Sequence, residues 1–226
     1  MEGEISEVAV AVNKMEKYEK LLEPLNLKNY KLGQLIRSNS MIHLIHVKGK
    51  RVLRSGINLE HDGMTIQKAE CVNGREKHIH NWSYDEDWSF TIRKDQDFTG
   101  KDPMKNCDLT NFIHVTSKKA LYYDDGKQSK DGKQSVVACR LFNDQLMGFQ
   151  WYVNFVYSPF NDDEYLRSGT IIKINSGLGN LHSITNPSFF SNQDVFVNSS
   201  DADEEGNYPE DEDDFWVVLE REERLK

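Results

Sequence analysis

No run of apolar residues in this 226-residue chain reaches the roughly 18 that a membrane-crossing helix needs, so no membrane insertion is expected. Basic charge is also in short supply. The 28 Lys and Arg stand against 37 Asp and Glu, a net charge of −9. Non-specific nucleic-acid binding runs on neutralising phosphates with Lys and Arg, so nucleic acid is not an expected partner. Cysteine is scarce: Cys71, Cys107 and Cys139 are odd in number and never stand in CxxC spacing, which argues against a disulfide framework and a structural zinc site. Catalytic signatures are missing as well. There is no GxSxG, HExxH or P-loop, and no spacing joins the many Asp, His and Ser residues into a nucleophile–base set. The chain therefore reads as a non-enzyme with no cofactor. His78-Ile79-His80 puts two imidazoles on one face of a strand, but no third and fourth ligand follow at zinc spacing, so no metal is expected. The start lacks a basic n-region and apolar h-region, and EREERLK at the end is no retention tetrapeptide, so a cytoplasmic location is expected.

Hydrophobic residues nevertheless make up 38% of the chain and aromatics 11%, enough for one substantial core. The first part of the chain differs from the rest. Ser6 is placed to cap a helix whose stripe is Val8, Val12, Met15, Tyr18 and Leu22 and which Pro24 ends; the alternation of VAVAV also allows a strand. Such a stripe is expected to dock on the following domain, and a helix offered to a partner is the alternative.

From Ile42 onward short strands are punctuated by Gly, Asn and Asp, which predicts an all-β domain. Within it three landmarks recur in order, three times. Leu53, Leu121 and Leu181 each end a turn, in HVKGKRVLRS, HVTSKKALYY and INSGLGNLHS. Gln67, Gln134 and Gln193 then lead β-rich runs, and Trp88, Trp151 and Trp216 close the units, 35, 30 and 35 residues after the leucines. A unit of this size cannot bury both faces of its strands, whereas three closing round a pseudo-threefold axis bury one core and leave no open barrel edge. The expected fold is an all-β β-trefoil of three pseudo-repeats with a short N-terminal helical extension. Residues 1–39 form the extension and residues 40–226 the trefoil.

At these positions the sequence resembles the MIR domain family, found in protein O-mannosyltransferases, inositol trisphosphate and ryanodine receptors, and stromal-cell-derived-factor-2-like proteins. Leu181-His182-Ser183 matches the family's Leu-His-Ser element. Asp85-Glu86-Asp87-Trp88 and Asp213-Asp214-Phe215-Trp216 match its acidic closing segment, and His46 and His114 match its opening histidine. Repeat 2 departs most, with Gly148-Phe149-Gln150 before Trp151 and Leu121-Tyr122-Tyr123 in place of Leu-His-Ser. The resemblance implies a β-trefoil. Ricin-type lectins share that fold but carry Gln-x-Trp in each repeat, whereas here Gln150 abuts Trp151 directly.

Two candidate sites follow. Trp82, Tyr84 and Asp85, with His182, offer an aromatic platform and polar groups suited to a carbohydrate. The basic run Lys48, Lys50, Arg51 and Arg54 suits an anion, and the resemblance to inositol trisphosphate receptors points to an inositol phosphate. The acidic stretch from Asp201 to Asp214, with nine carboxylates and no base, reads as a solvated loop or a surface for a basic partner. The expected function is a non-catalytic binding module that takes a protein partner through its trefoil loops, with a glycan and an inositol phosphate or other anion as alternatives.

Overall fold

Twelve strands follow one helix in the computed structural model, which describes residues 2–25, 27, 30–61, 64–73, 87–92, 103–128, 134–141, 147–160, 164–183, 193–198 and 211–220. After α1 (Glu2–Leu22), repeat 1 contributes β1 (Ile42–His46), β2 (Arg51–His61), β3 (Met64–Asn73) and β4 (Trp88–Ile92). Repeat 2 contributes β5 (Leu109–His114), β6 (Lys119–Gln128), β7 (Gln134–Leu141) and β8 (Trp151–Tyr157). Repeat 3 contributes β9 (Ile171–Asn175), β10 (Asn180–Ser183), β11 (Gln193–Asn198) and β12 (Trp216–Glu220).

The first and last strands of each repeat close a six-stranded ring, each pairing antiparallel with the next in the order β1–β4–β5–β8–β9–β12 and back to β1. The middle strands form three hairpins, β2–β3, β6–β7 and β10–β11. Their return strands pair round a triangle, with Gln67 opposite Cys139, Ser135 opposite Val197, and Gln193 opposite Cys71. This is the β-trefoil that three copies of a four-strand unit require.

The leucine and tryptophan landmarks are one interaction made three times. The indole N–H of Trp88 donates to the Leu53 carbonyl at 2.9 Å, Trp151 to Leu121 at 3.1 Å, and Trp216 to Leu181 at 2.9 Å. All three rings and all three leucines are buried, so each bond satisfies a polar atom that water cannot reach. Opposite each leucine in its hairpin stand Cys71, Cys139 and Val197. Two of the three cysteines are thus one layer of the core, and burial pushes both thiols up to about 12. The serine of the Leu-x-Ser element serves the same layer: Ser183 bonds Cys71, and Ser55 bonds Cys139.

This register corrects two sequence alignments. Ser135, not Gln134, is the counterpart of Gln67 and Gln193. The third turn is two residues shorter, so Ile174 pairs with Leu181 as Leu44 does with Leu53, and Ser176 occupies the histidine position.

A further landmark closes the other end of the barrel. The amide of Ile36 donates to Leu166, that of Leu166 to Met104, and that of Met104 to Ile36, at 2.9, 2.8 and 3.2 Å. These three buried side chains plug the barrel on its pseudo-threefold axis. Three residues after each comes a left-handed backbone, at Asn39 (φ 70°), Cys107 (φ 64°) and Gly169 (φ 106°), which turns the chain into the barrel strand. Repeat 1 therefore opens at Leu35, inside the segment expected to be an extension.

The chain before it is helical from Glu2, four residues ahead of the expected cap at Ser6. Among the described residues of α1, those of the last turns dock on the trefoil. Tyr18 is fully buried, stacked on Tyr157 with ring centroids 5.4 Å apart and edge-on to Phe215 at 5.9 Å. Leu21, Leu22, Leu25 and Leu27 join it over Ile45, Val47, Ile171, Val217 and Leu219. Ile45, Ile171, Val217 and Leu219 lie on the outward faces of β1, β9 and β12, and Val47 follows β1.

Candidate functional site

In repeats 2 and 3 the position after the landmark leucine faces the position two before the landmark tryptophan, and the chemistry of the two pairs differs. In repeat 3 the pair is His182 and Asp214. The His182 Nδ1–H donates to Asp214 Oδ1 at 2.8 Å, while the Asn180 amide donates to the other carboxylate oxygen at 2.9 Å. The Leu-His-Ser element and the acidic closing segment are thus two halves of one buried contact. In repeat 2 the same positions hold Tyr122 and Phe149, ring centroids 4.8 Å apart, with the Arg140 guanidinium 4.5 Å above Tyr122. Gly148 is obligatory there, because a Cβ would collide with the Tyr123 carbonyl and the Tyr122 ring. In repeat 1 Arg54 turns to its cross-strand neighbour Glu70, with Nε–H and Nη2–H donating to one carboxylate oxygen at 2.9 and 2.6 Å. The family-like His–Asp pair therefore exists once among the described residues.

The opening histidines organise turns. His46 Nδ1 accepts the Gly49 amide at 3.1 Å, and its Nε2–H donates to the Asp213 carbonyl at 3.0 Å. His114 Nδ1 likewise accepts the Ser117 amide at 3.3 Å. Each imidazole packs against the tryptophan that closes a different repeat, His46 on Trp216 and His114 on Trp88. Burial pushes the His46 pKa down to about 4, against the opposing pull of Asp213. The hydrogen bonds agree, since an imidazolium would aim a second N–H at the Gly49 amide.

The sequence reading missed a third network. His43 lies buried between Tyr30, whose hydroxyl is 3.0 Å from Nδ1, and Asp87, whose Oδ1 is 2.9 Å from Nε2. The Tyr–His–Asp order is one that proton-transfer sites also use, but here all three members are sealed from solvent. It ties the segment after α1 to the closing acid of repeat 1. Asp87 beside Trp88 was the only available signal, and nothing in the sequence named His43 as its partner.

Of the expected carbohydrate set, Trp82, Tyr84 and Asp85 lie outside the described residues, and His182 is 5% exposed and held by Asp214. The basic run does not form one surface. Lys48 Nζ donates to Asp213 Oδ2 at 2.7 Å, which holds the lysine above its usual pKa. Arg54 is taken by Glu70, Arg51 is buried, and Lys50 stands exposed in a left-handed turn conformation. At the end of the acidic stretch, His182, Asp211 and Asp213 bring ligand-type atoms within 4.8 Å of one another. Each already has a partner within the chain: His182 Nδ1 meets Asp214, Asp213 Oδ2 accepts from Lys48, and Asp211 Oδ1 caps the Asp213 amide at 2.9 Å.

No family model matches the sequence, and no curated protein matches it. Solved structures do match in shape. The SDF2-like protein of Arabidopsis thaliana superposes with a TM-score of 0.62 at 17% identity, over 82% of this chain and 94% of that one. The protein O-mannosyltransferase Pmt1–Pmt2 complex of S. cerevisiae, solved with its sugar donor, gives 0.65 at 16% identity over 87% of this chain, which spans only 27% of that chain. A Caenorhabditis elegans protein of unknown function gives 0.59 at 15% identity over 82% of this chain and 96% of its own. The first two contain MIR domains, and the fold of this chain is the β-trefoil of the MIR-domain proteins.

Proposed function

We propose that the chain is a non-catalytic binding module that engages a protein partner through its trefoil turns. The observation that carries this reading is the contrast between a core contact repeated threefold and an unrepeated layer of side chains beside it. The tryptophan-to-leucine bond is kept in all three repeats. The neighbouring position has become Arg54, Tyr122 and His182, each with a different partner. A trefoil with three equivalent sugar pockets needs one aromatic and polar set three times over. One extended surface of mixed chemistry suits a folded protein instead. Catalysis is disfavoured because His43, His46, His182, Asp87 and Asp214, with Cys71 and Cys139, are buried within the trefoil.

The test is site-specific photo-cross-linking from the threefold-related turns, at Lys50, Lys118 and Leu178, with Arg37 at the plugged end as control. One protein captured from the turn positions and not from Arg37 supports the reading. A glycan-array signal abolished by Trp82→Ala, or an inositol phosphate thermal shift abolished by Lys50→Ala, overturns it.

A further inference from the structure

Three consecutive acids, Glu212, Asp213 and Asp214, form a short 3₁₀ turn, and each holds a different part of the chain. Asp211 caps the turn through the Asp213 amide. Asp214 holds His182 and Asn180 of β10, and Asp213 holds Lys48 of the turn between β1 and β2. Glu212 meets Lys17 of α1 at 3.4 Å. The next residue, Phe215, is the edge-on partner of Tyr18 at 5.9 Å. The segment that closes repeat 3 therefore also supplies an ion pair and a ring to the seat of α1.

His46 sits against this turn with both ring nitrogens committed. Nδ1 accepts the Gly49 amide at 3.1 Å, and Nε2–H donates to the Asp213 carbonyl at 3.0 Å. A second proton on the ring sets one N–H against another at Gly49. Lys48 and His182 oppose a further positive charge here, while the Asp213 carboxylate, with Oδ1 3.9 Å from Nε2, favours it. Burial outweighs that attraction and holds the pKa down at about 4. An imidazolium fits only if Gly49 or Asp213 moves. Neither moves alone, because the Val47 amide donates to the Phe215 carbonyl at 2.9 Å and Lys48 grips Asp213 at 2.7 Å. Either displacement pulls on the residues that seat α1.

We propose that the turn at Glu212–Asp214 is an acid-opened clasp: protonation of His46 displaces it and releases the last turns of α1 from a trefoil that stays folded. Release bares Ile45, Ile171, Val217 and Leu219 on the outward faces of β1, β9 and β12, a surface closed at neutral pH. Between pH 6.5 and 4 the opened form takes up a proton that the closed form refuses, so acid favours opening. From pH 7 to pH 5 the opening constant should rise about 20-fold.

The test is hydrogen–deuterium exchange of the full chain at pH 7 and pH 5, with rates corrected for the intrinsic pH dependence of amide exchange. Protection of residues 17–22 is expected to fall about 20-fold, while that of β7 in repeat 2 changes less than about threefold. His46→Asn, whose oxygen still accepts the Gly49 amide but which does not titrate, should abolish the fall. If that variant does not fold, His46→Ser takes its place, since repeat 3 carries a serine there whose hydroxyl accepts the Leu178 amide. Equal protection of residues 17–22 at the two pH values overturns the inference. So does a fall that the His46 variant keeps, which assigns it to the carboxylates, or one that β7 shares in full, which is unfolding of the whole domain.

Discussion

His46 should make this protein lose stability on mild acidification. Buried and neutral, it has its pKa pushed from 6.5 to about 4. In the unfolded chain the same side chain is free to protonate near its ordinary value. Between pH 6.5 and 4 the unfolded state therefore binds a proton that the folded state refuses. Stability from this group is complete above pH 6.5, falls as pH drops towards 4, and changes no further below that. A displacement of this size is worth about 3 kcal/mol, at about 1.4 kcal/mol per unit. That is a large part of the ~5–15 kcal/mol typical of a domain. Asp213, Lys48 and His182 also act on the ring, so the clean measurement is a difference. Urea unfolding of wild type and His46→Asn at intervals from pH 7 to 4 isolates it, because an asparagine oxygen still accepts the Gly49 amide. The wild-type advantage should shrink by about 3 kcal/mol over that range. Parallel curves, or a His46 proton resonance titrating near 6.5, would refute the reasoning.

The other predictions concern packing. Trp88→Phe, Trp151→Phe and Trp216→Phe each strand a buried leucine carbonyl and remove part of a ring, so each should cost about 2–4 kcal/mol in urea unfolding, and the three values should agree within about 1 kcal/mol. Gly148→Ala drives a methyl group into the Tyr123 carbonyl and should cost about 2 kcal/mol or more, a loss that Tyr122→Ala cannot fully recover because the backbone oxygen remains. Tyr18→Ala removes the anchor of α1 and should cost about 3 kcal/mol, with limited proteolysis then cutting within α1 well before the trefoil. Asp214→Asn sets an amide against the Asn180 amide and should cost about 1–3 kcal/mol in thermal unfolding, whereas Phe149→Leu, at the equivalent place in repeat 2, should cost less.

The repeats were legible because their landmarks are large, buried and bonded to one another. Leucine and tryptophan at those positions answer to one geometry, and three occurrences expose it. The plug was illegible for the opposite reason. Ile36, Met104 and Leu166 share only apolarity, and the left-handed position after them accepts Asn, Cys or Gly through a backbone angle that no single residue type announces. The third turn misled because two missing residues slid Ile174 under the histidines, and only strand register separates it from Ser176. The helix gave up its position but not its extent. Its stripe looks uniform in sequence, while docking is decided by where β1, β9 and β12 present apolar outer faces, a property of three distant segments at once.

That division bears on where function resides in such a fold. The interactions that recur threefold, indole to leucine carbonyl and plug amide to plug carbonyl, satisfy buried backbone groups that cost about 1–3 kcal/mol each if left open. They cannot drift independently without unfolding the barrel. The side chains between them carry no such constraint. At the leucine-adjacent slot a histidine–aspartate pair, a tyrosine–phenylalanine contact and an arginine–glutamate pair all serve, because each side chain finds a partner of matching chemistry. A change to one partner alone leaves a buried charge or a void. Positions free of both demands lie at the surface, and among the described residues they include the turn tips at Lys50, Lys118 and Leu178.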